Sequence, residues 1–331
     1  MNNYNKVLYL IGAGASVPTI PIVSGIGEGL KKFHDFMRPF SKWMHSLRGQ
    51  EKAAVEEHKQ NLLKDIIWLS EECEKHVSID TVAKKFISKN ELEKLKKLKL
   101  VLSLYFLKIQ YSEKINSRHD AFIAGLYDHR SKSFPNDIKI ISWNYDSQFE
   151  LAFGEYIYEN RYDIVKQELN VIPGSNKPFD GQKFSIFKIN GSAQFVNSDR
   201  FVSLFDNYSI PDFESMTKQI IYFYGNPEYT VDLKFSFESP ISENKILSDL
   251  KPAILGSSIL VIIGYSFPFF NRPYDKAIFQ DQNFEHVYIQ VPLEAYDDVS
   301  RAFQAVRPTP LNLITHIPAN KNSPFYIPPQ V

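Results

Sequence analysis

The run Val7-Leu8-Tyr9-Leu10-Ile11 leads without a break into Gly12-Ala13-Gly14-Ala15-Ser16-Val17-Pro18. A strand that is apolar at every position has no face to give to water, so it belongs in the middle of a sheet covered on both sides. The Gly-x-Gly that follows predicts a tight turn into a helix, with bare backbone N–H groups suited to a phosphate. Far downstream a second apolar strand, Ile138 to Ile141, runs into Ser142-Trp143-Asn144-Tyr145-Asp146. It delivers an amide and a carboxylate to a strand end. These two elements constrain the chain to an α/β fold whose chemistry sits at the mouth of its sheet.

The chain has 331 residues, enough for one large domain or two smaller ones. Lys plus Arg and Asp plus Glu both number 38, so no global basic field points to nucleic acid and no acidic excess to disorder. A single cysteine, Cys73, excludes an internal disulfide framework and a multi-cysteine zinc site. The beginning shows no basic-then-apolar leader, and the apolar run near Ile259 to Ile263 is far too short to cross a bilayer. A cytoplasmic protein without metal, membrane contact or direct nucleic-acid binding is the expectation.

Helical periodicity fills the stretch after the first turn. Gly25 to Phe36 reads as a helix broken at Pro39. Glu51 to Lys75 continues with Leu62, Leu63, Ile66, Ile67 and Leu69 on one side, and Ser78-Ile79-Asp80 reads as a capped helix start. Between Glu91 and Ile109 the residues Leu92, Leu95, Leu98, Leu102, Phe106 and Ile109 recur at three and four, which predicts one apolar stripe with a solvated Lys-rich back. His119 to Leu126 and Phe149 to Tyr158 read as further helices. Phe184 to Ile189, Leu255 to Ile263, Val287 to Val291 and Leu313 to Ile317 read as strands. The resulting plan is an α/β domain over 1–38 and 118–331, an α-helical insertion over 39–117, and a second, aromatic-rich insertion over 197–242. The tail from Pro308 to Pro329 reads as wrapped or loose. Strands alternating with helices argue for a mostly parallel, doubly wound sheet, in which ligands sit beyond the carboxyl ends of the strands.

Two more motifs end predicted strands: Asn190-Gly191-Ser192 and Gly264-Tyr265-Ser266. In the first turn the third glycine of the usual dinucleotide fingerprint is replaced by Val17, so that turn alone is a weak signal. The ordered set is more specific. Gly-Ala-Gly-Ala-Ser, Asn-x-Asp after a strand, a Gly-Ser turn and an apolar strand ending in Gly-x-Ser together resemble the sirtuin family. Closer still are the bacterial sirtuin-like effectors of anti-phage defence, where Trp-Asn-Tyr-Asp and Gly-Tyr-Ser-Phe with a following Asp are typical wordings. The resemblance covers residues 6–38 and 119–291 and implies a sirtuin-like Rossmann fold.

That resemblance implies NAD+ as substrate. Gly12, Ala13, Gly14 and Ser16 would line its pyrophosphate, and Gly191 and Ser192 would complete the nucleotide site. Gly264 and Ser266 would meet the adenosine-side ribose or phosphate. Asn144 would lie beneath the nicotinamide ribose and position the attacking group, and Asp146 would hold the ribose or the nicotinamide amide. Asp275 would be the acid that follows the Gly-Tyr-Ser turn, displaced by a longer loop. The departure is Asn190, where the family has a histidine that acts as a base. Asparagine cannot take a proton. His119, whose helix leads into the Asn144 strand, is the best-placed histidine to replace it, although packing is the commoner role of such a residue.

Cleavage of NAD+ releases nicotinamide as a neutral molecule, so it needs stabilisation of an oxocarbenium-like transition state rather than a general acid. Loss of the histidine therefore harms acyl transfer more than hydrolysis, and the zinc-ribbon cysteines of classical sirtuins are missing too. The expected activity is NAD+ hydrolysis to ADP-ribose and nicotinamide by an anti-phage effector. Its gate is expected to be a regulatory or sensor protein encoded nearby, homo-oligomerisation, or both. The alternative is a catalytically impaired module that binds NAD or ADP-ribose as a regulatory ligand. Blander roles stand beside the sharp ones: Trp143 and Tyr145 as core, Asp146 as a helix cap, and Asn190 as a turn residue.

Overall fold

The computed structural model describes residues 6–39, 41–112, 115–159, 161–174, 179–197, 200–202 and 212–331. The opening apolar run forms β1 (Lys6–Ile11), buried from Val7 onward. It is followed in the chain by β2 (Ile138–Ser142), β3 (Val171–Ile172) and β4 (Ser185–Lys188). β5 (Phe195–Asn197), β6 (Arg200–Val202) and β7 (Thr230–Val231) form a separate antiparallel sheet in the order β6-β5-β7. β8 (Ser257–Ile263), β9 (His286–Val291) and β10 (Ile314–Pro318) complete a seven-stranded sheet of order β10-β9-β8-β1-β2-β4-β3. Every pairing within it is parallel. β1 lies at its centre, as a strand without a polar face must.

Between β1 and β2 the chain builds a helical layer: α1 (Ile26–Met37), α2 (Gly49–Glu74), α3 (Ile79–Ser88) and α4 (Leu92–Ser112). α1 places Ile26, Leu30, Phe33 and Met37 on one buried stripe, and α3 starts at an N-cap, Ser78, whose hydroxyl accepts from the Thr81 N–H. α4 departs from the expected single stripe. Its first half is one-sided, but nearly every residue from Val101 to Gln110 is buried, because α1, α2, α3 and a later helix surround it.

After this layer come α5 (Ser117–Leu126), α6 (Gln148–Ile157), α7 (Tyr162–Glu168), α8 (Phe213–Gly225), α9 (Lys245–Ile254), α10 (Arg272–Phe279) and α11 (Leu293–Val306). Phe122 and Ile123 of α5, Phe149 and Phe153 of α6 and Val165 of α7 pack on one face of the main sheet, against Tyr9, Ile140, Ile186 and Val261. The opposite face, carrying Leu8, Ile141, Phe187 and Ile262, is covered by Leu250, Ile278 and Phe303 of α9, α10 and α11. Helices on both faces make the sheet doubly wound.

α8 belongs to neither face. Its Met216, Ile220, Ile221 and Phe223 share one core with α1 through α4 and with Phe195, Leu233 and Phe235. Residues of both expected insertions thus share one core with α1. Residues 198–199 and 203–211 of the second insertion lie outside the described residues. The tail wraps rather than hangs loose: Phe325 is buried in the α5–α6 core, and Gln290 of β9 holds it by bonds to Pro324 O and from Tyr326 N.

From β1 the chain moves to β2, out to β3 at the edge and back to β4 between them on one side, then returns to start β8 on the other side of β1. The crevice between β1 and β8 is the switch point where doubly wound sheets take their ligands. The register fixes what gathers there. Ile11 pairs with Ser142 on one side and Ile263 on the other, and Ser142 pairs with Lys188. The loops beginning at Gly12, Trp143, Ile189 and Gly264 thus leave the sheet from one line. Leu30→Ala, which empties a fully buried site in the helical layer, is expected to cost about 2–5 kcal/mol, read from the urea unfolding midpoint.

Candidate functional site

A cavity of about 540 Å³ opens above that line of strand ends, within the size range of small-molecule sites. Ala13 and Gly14, Trp143 to Asp146, Asn190, and Gly264 to Ser266 line its floor. Its walls are Ile20 to Ile22 before α1, Val77, Ile79 and Asp80 at the start of α3, Phe106 of α4, and Pro292, Ala295 and Val299 at α11. All four strand-end loops expected to converge do so. Of the residues singled out in the sequence, Ala13, Gly14, Asn144, Asp146, Asn190, Gly264 and Ser266 line the cavity, whereas Gly12, Ser16, Gly191, Ser192, Asp275 and His119 do not.

The first turn is closed upon itself and its neighbour. The Gly12 N–H donates to Ile263 O and the Gly14 N–H to Gly264 O, while those of Ala15 and Ser16 donate back to Gly12 O and Ala13 O. A Cβ on Gly12 would lie 2.6 Å from Gly264 O, and one on Gly264 only 2.4 Å from Ala15 N. Gly264 has φ +59, which glycine alone adopts without cost. Glycine is required at both places so that two backbones can touch.

Beneath the cavity Ser16 joins the two main motifs. Asn144 Nδ2 donates to Gly12 O at 3.0 Å and to Ser16 Oγ at 3.1 Å, and Ser16 Oγ donates to Asp146 Oδ2 at 2.7 Å. A carbonyl only accepts, so the bond to Gly12 fixes which end of the Asn144 amide is the NH2. Its Oδ1 is left as an acceptor on a residue that lines the cavity. Asp146 Oδ1 accepts from the Gln148 N–H at the start of α6. The carboxylate thus caps a helix and braces Ser16 while lining the cavity. Asn190 Nδ2 reaches Trp143 O at 3.3 Å, and its buried Oδ1 has no protein partner. An unpartnered buried acceptor in a cavity wall calls for a donor from a ligand or water.

Gly191, at φ +66, brings Ser192 against Asp232, whose Oδ2 accepts from both the Ser192 N–H and hydroxyl. Burial raises the Asp232 carboxyl above its ordinary range, with Lys166 and Lys234 acting against the rise. Asp275 lies one layer behind the wall, fully buried, paired with the Tyr265 hydroxyl at 2.9 Å and facing the Trp143 indole. Desolvation pushes its pKa up to about 8, against the pull of Tyr265, Trp143 and Arg272. His119 is enclosed edge-on by Phe149 and Phe325 at 4.6 and 4.9 Å. Burial lowers its pKa to about 3, with Arg118 adding to the effect. It is a neutral core histidine and supplies no base to the cavity.

Trp143 and Tyr265 stack with ring planes 2° apart, so both are core and cavity wall together. Sequence reasoning missed three contributors. Arg118, next to the histidine it singled out, clamps Gly14 O and Ala15 O at 3.0 and 3.1 Å. Asn116 caps α5 and holds Ser16 O at 3.0 Å. Asp80 enters the cavity from the helical layer and was legible only as part of a helix start. Among the described residues no Lys, Arg or His lines the cavity, no group of three His, Cys, Asp or Glu side chains is arranged to hold a metal, and no helix is long and apolar enough to cross a membrane.

Gly12→Ala forces backbone against backbone and is expected to destabilise by about 1–3 kcal/mol, with a matching fall in the urea midpoint. Asp275 gives a pH signature. Its unfolded carboxyl ionises near pH 4 and its folded one near 8. Between those values the folded chain holds the extra proton, so stability falls as pH rises. Unfolding free energies measured from pH 6 to 8 should fall less steeply in Asp275→Asn. Comparison of the chain with models of known protein families gives no match, and comparison with curated proteins gives none either.

Proposed function

We propose that the protein is an NAD+ hydrolase, converting NAD+ and water to ADP-ribose and nicotinamide on a sirtuin-like Rossmann frame. The observation that carries this reading is the anchored amide of Asn144. Its NH2 is spent on Gly12 O and Ser16 Oγ, which leaves Oδ1 as the acceptor of a residue that lines the cavity at the switch point of the sheet. An acceptor there can accept a hydrogen bond from a water molecule and turn the water's lone pair toward the ribose C1′. The wall chemistry agrees. Carboxylates and aromatic rings without a cation suit the positive pyridinium end of NAD+.

The depletion of NAD+ in phage-infected cells, and control by a sensor protein encoded nearby or by self-association, are what the resemblance of the four-motif set implies for the biology. Such an activity must be gated, and the helical layer that roofs the cavity is the surface through which a partner would act.

A second reading is favoured by Asn190 and His119 together. The first cannot take a proton, and the second is locked in an aromatic core. A site without a histidine suits a module that binds NAD or ADP-ribose without turning it over. Nicotinamide release separates the two. Wild-type protein, alone and with the product of its neighbouring gene, should release nicotinamide, and Asn144→Ala should lower kcat by roughly 10²–10³-fold. Retained NAD+ binding without release in any combination would establish the binding module instead.

A further inference from the structure

We propose that Asp80, carried by the helical insertion, completes this site as the carboxylate facing the positive end of a bound pyridinium nucleotide. The inference rests on the NAD reading and adds to it a residue outside every motif of the sheet.

Three observations place Asp80 in this role. It lines the same cavity as Asn144 and Asn190, in the first turn of α3 behind the Ser78 cap. The neighbouring Ile79 is 2 % exposed and pins that turn to the core. Its charge is felt on both sides of the floor, by the Tyr145 hydroxyl beside Asn144 and by the Tyr265 hydroxyl at the end of β8. Beyond those tyrosines stand Glu238 against Tyr145 and Asp275 against Tyr265. Asp146 shares the cavity but has both oxygens engaged by Ser16 and Gln148. On its own helix Lys84 is drawn over the Phe237 ring. Among the described residues no cation faces Asp80 across the cavity, and desolvation lifts its carboxyl to about 6. The half-buried Asp80 carboxylate has no counter-ion in the cavity lining, and a ligand that brings a positive charge supplies one.

The second observation that the cavity is built for a ligand is the orphaned Oδ1 of Asn190. In the reaction the bond between C1′ and the pyridinium nitrogen breaks, and its electron pair neutralises that nitrogen. The oxygen of water bonds to C1′. The proton it loses passes to the Asp80 carboxylate and from there to solvent. A pKa near the working pH suits both the charge and the proton.

The test uses the full chain and two titrations, NAD+ and NADH, which differ in the charge of the nicotinamide ring. Calorimetry at pH 7.5 should show wild type preferring NAD+ by about tenfold or more, and Asp80→Asn bringing the ratio near one. Nicotinamide release should fall roughly a hundredfold in Asp80→Asn and should rise through about pH 6 in wild type alone. Asp80→Asn should also melt no lower than wild type at pH 7.5, which separates lost chemistry from lost folding. An unchanged NAD+ to NADH ratio in Asp80→Asn overturns the proposal. So does undiminished release, which leaves the hydrolase standing without Asp80. The expected ratio with no release defeats the hydrolase and keeps the charge role. Failure to bind NAD+ at all defeats both.

Discussion

Two turns far apart in the sequence, at Gly12 and Gly264, touch backbone to backbone, and the rest of the site is built on that contact. Gly14 donates to Gly264 O, and neither Gly12 nor Gly264 has room for a side chain. Because the turns meet, Gly12 O is presented to Asn144, and Asn144 in turn meets Ser16. A bulkier residue at either turn would push β1 and β8 apart at their carboxyl ends. The amide would then lose the carbonyl that fixes which of its ends is the NH2.

Below the floor lies a second constraint, a buried polar layer. Lys188 pairs with Glu150 at 2.8 Å, both almost wholly buried, and also donates to Asp146 O. Tyr162 bonds Glu150 and Ser147, and Gln194 bonds Ser147 as well. Buried pairs of this kind contribute little net stability but are costly to break. Here each bond fixes a residue at or next to a cavity loop. The layer therefore sets geometry: it holds the segment after β2 in one arrangement, whatever the cavity contains.

What is legible in the amino-acid sequence follows from the range of the forces involved. Strand-end motifs are local. An apolar run, a glycine and an Asn or Asp lie next to one another, and parallel register does the rest, so the pattern alone brings Gly12, Asn144, Asn190 and Gly264 to one rim. The helices α1, α2 and α3 were legible through their caps and spacing. α9, α10 and α11 went unread although α11 spaces Tyr296, Val299, Phe303 and Val306 by three and four; Pro252 inside α9 and Pro273 at the start of α10 masked the other two. α4 misled because a stripe describes a helix with one neighbour, and this helix has several. The roof of the cavity was not legible at all. Asp80 comes to Asn144 only through packing of a layer whose position relative to the sheet no local pattern encodes. His119 drew attention by its type, while its neighbour Arg118 does the positioning.

The strap formed by the tail has a consequence for how the protein is made. Arg118, which clamps Gly14 O and Ala15 O, is itself held by Ser323 O and by the ring of Phe325 at 4.8 Å. During translation the buckle at Ser323 and Phe325 emerges after the turn, the amide and the carboxylates that it tightens. Domains settle from the N-terminal side as they leave the ribosome, and here Arg118 gains its outer partners only when residues 323–325 have emerged.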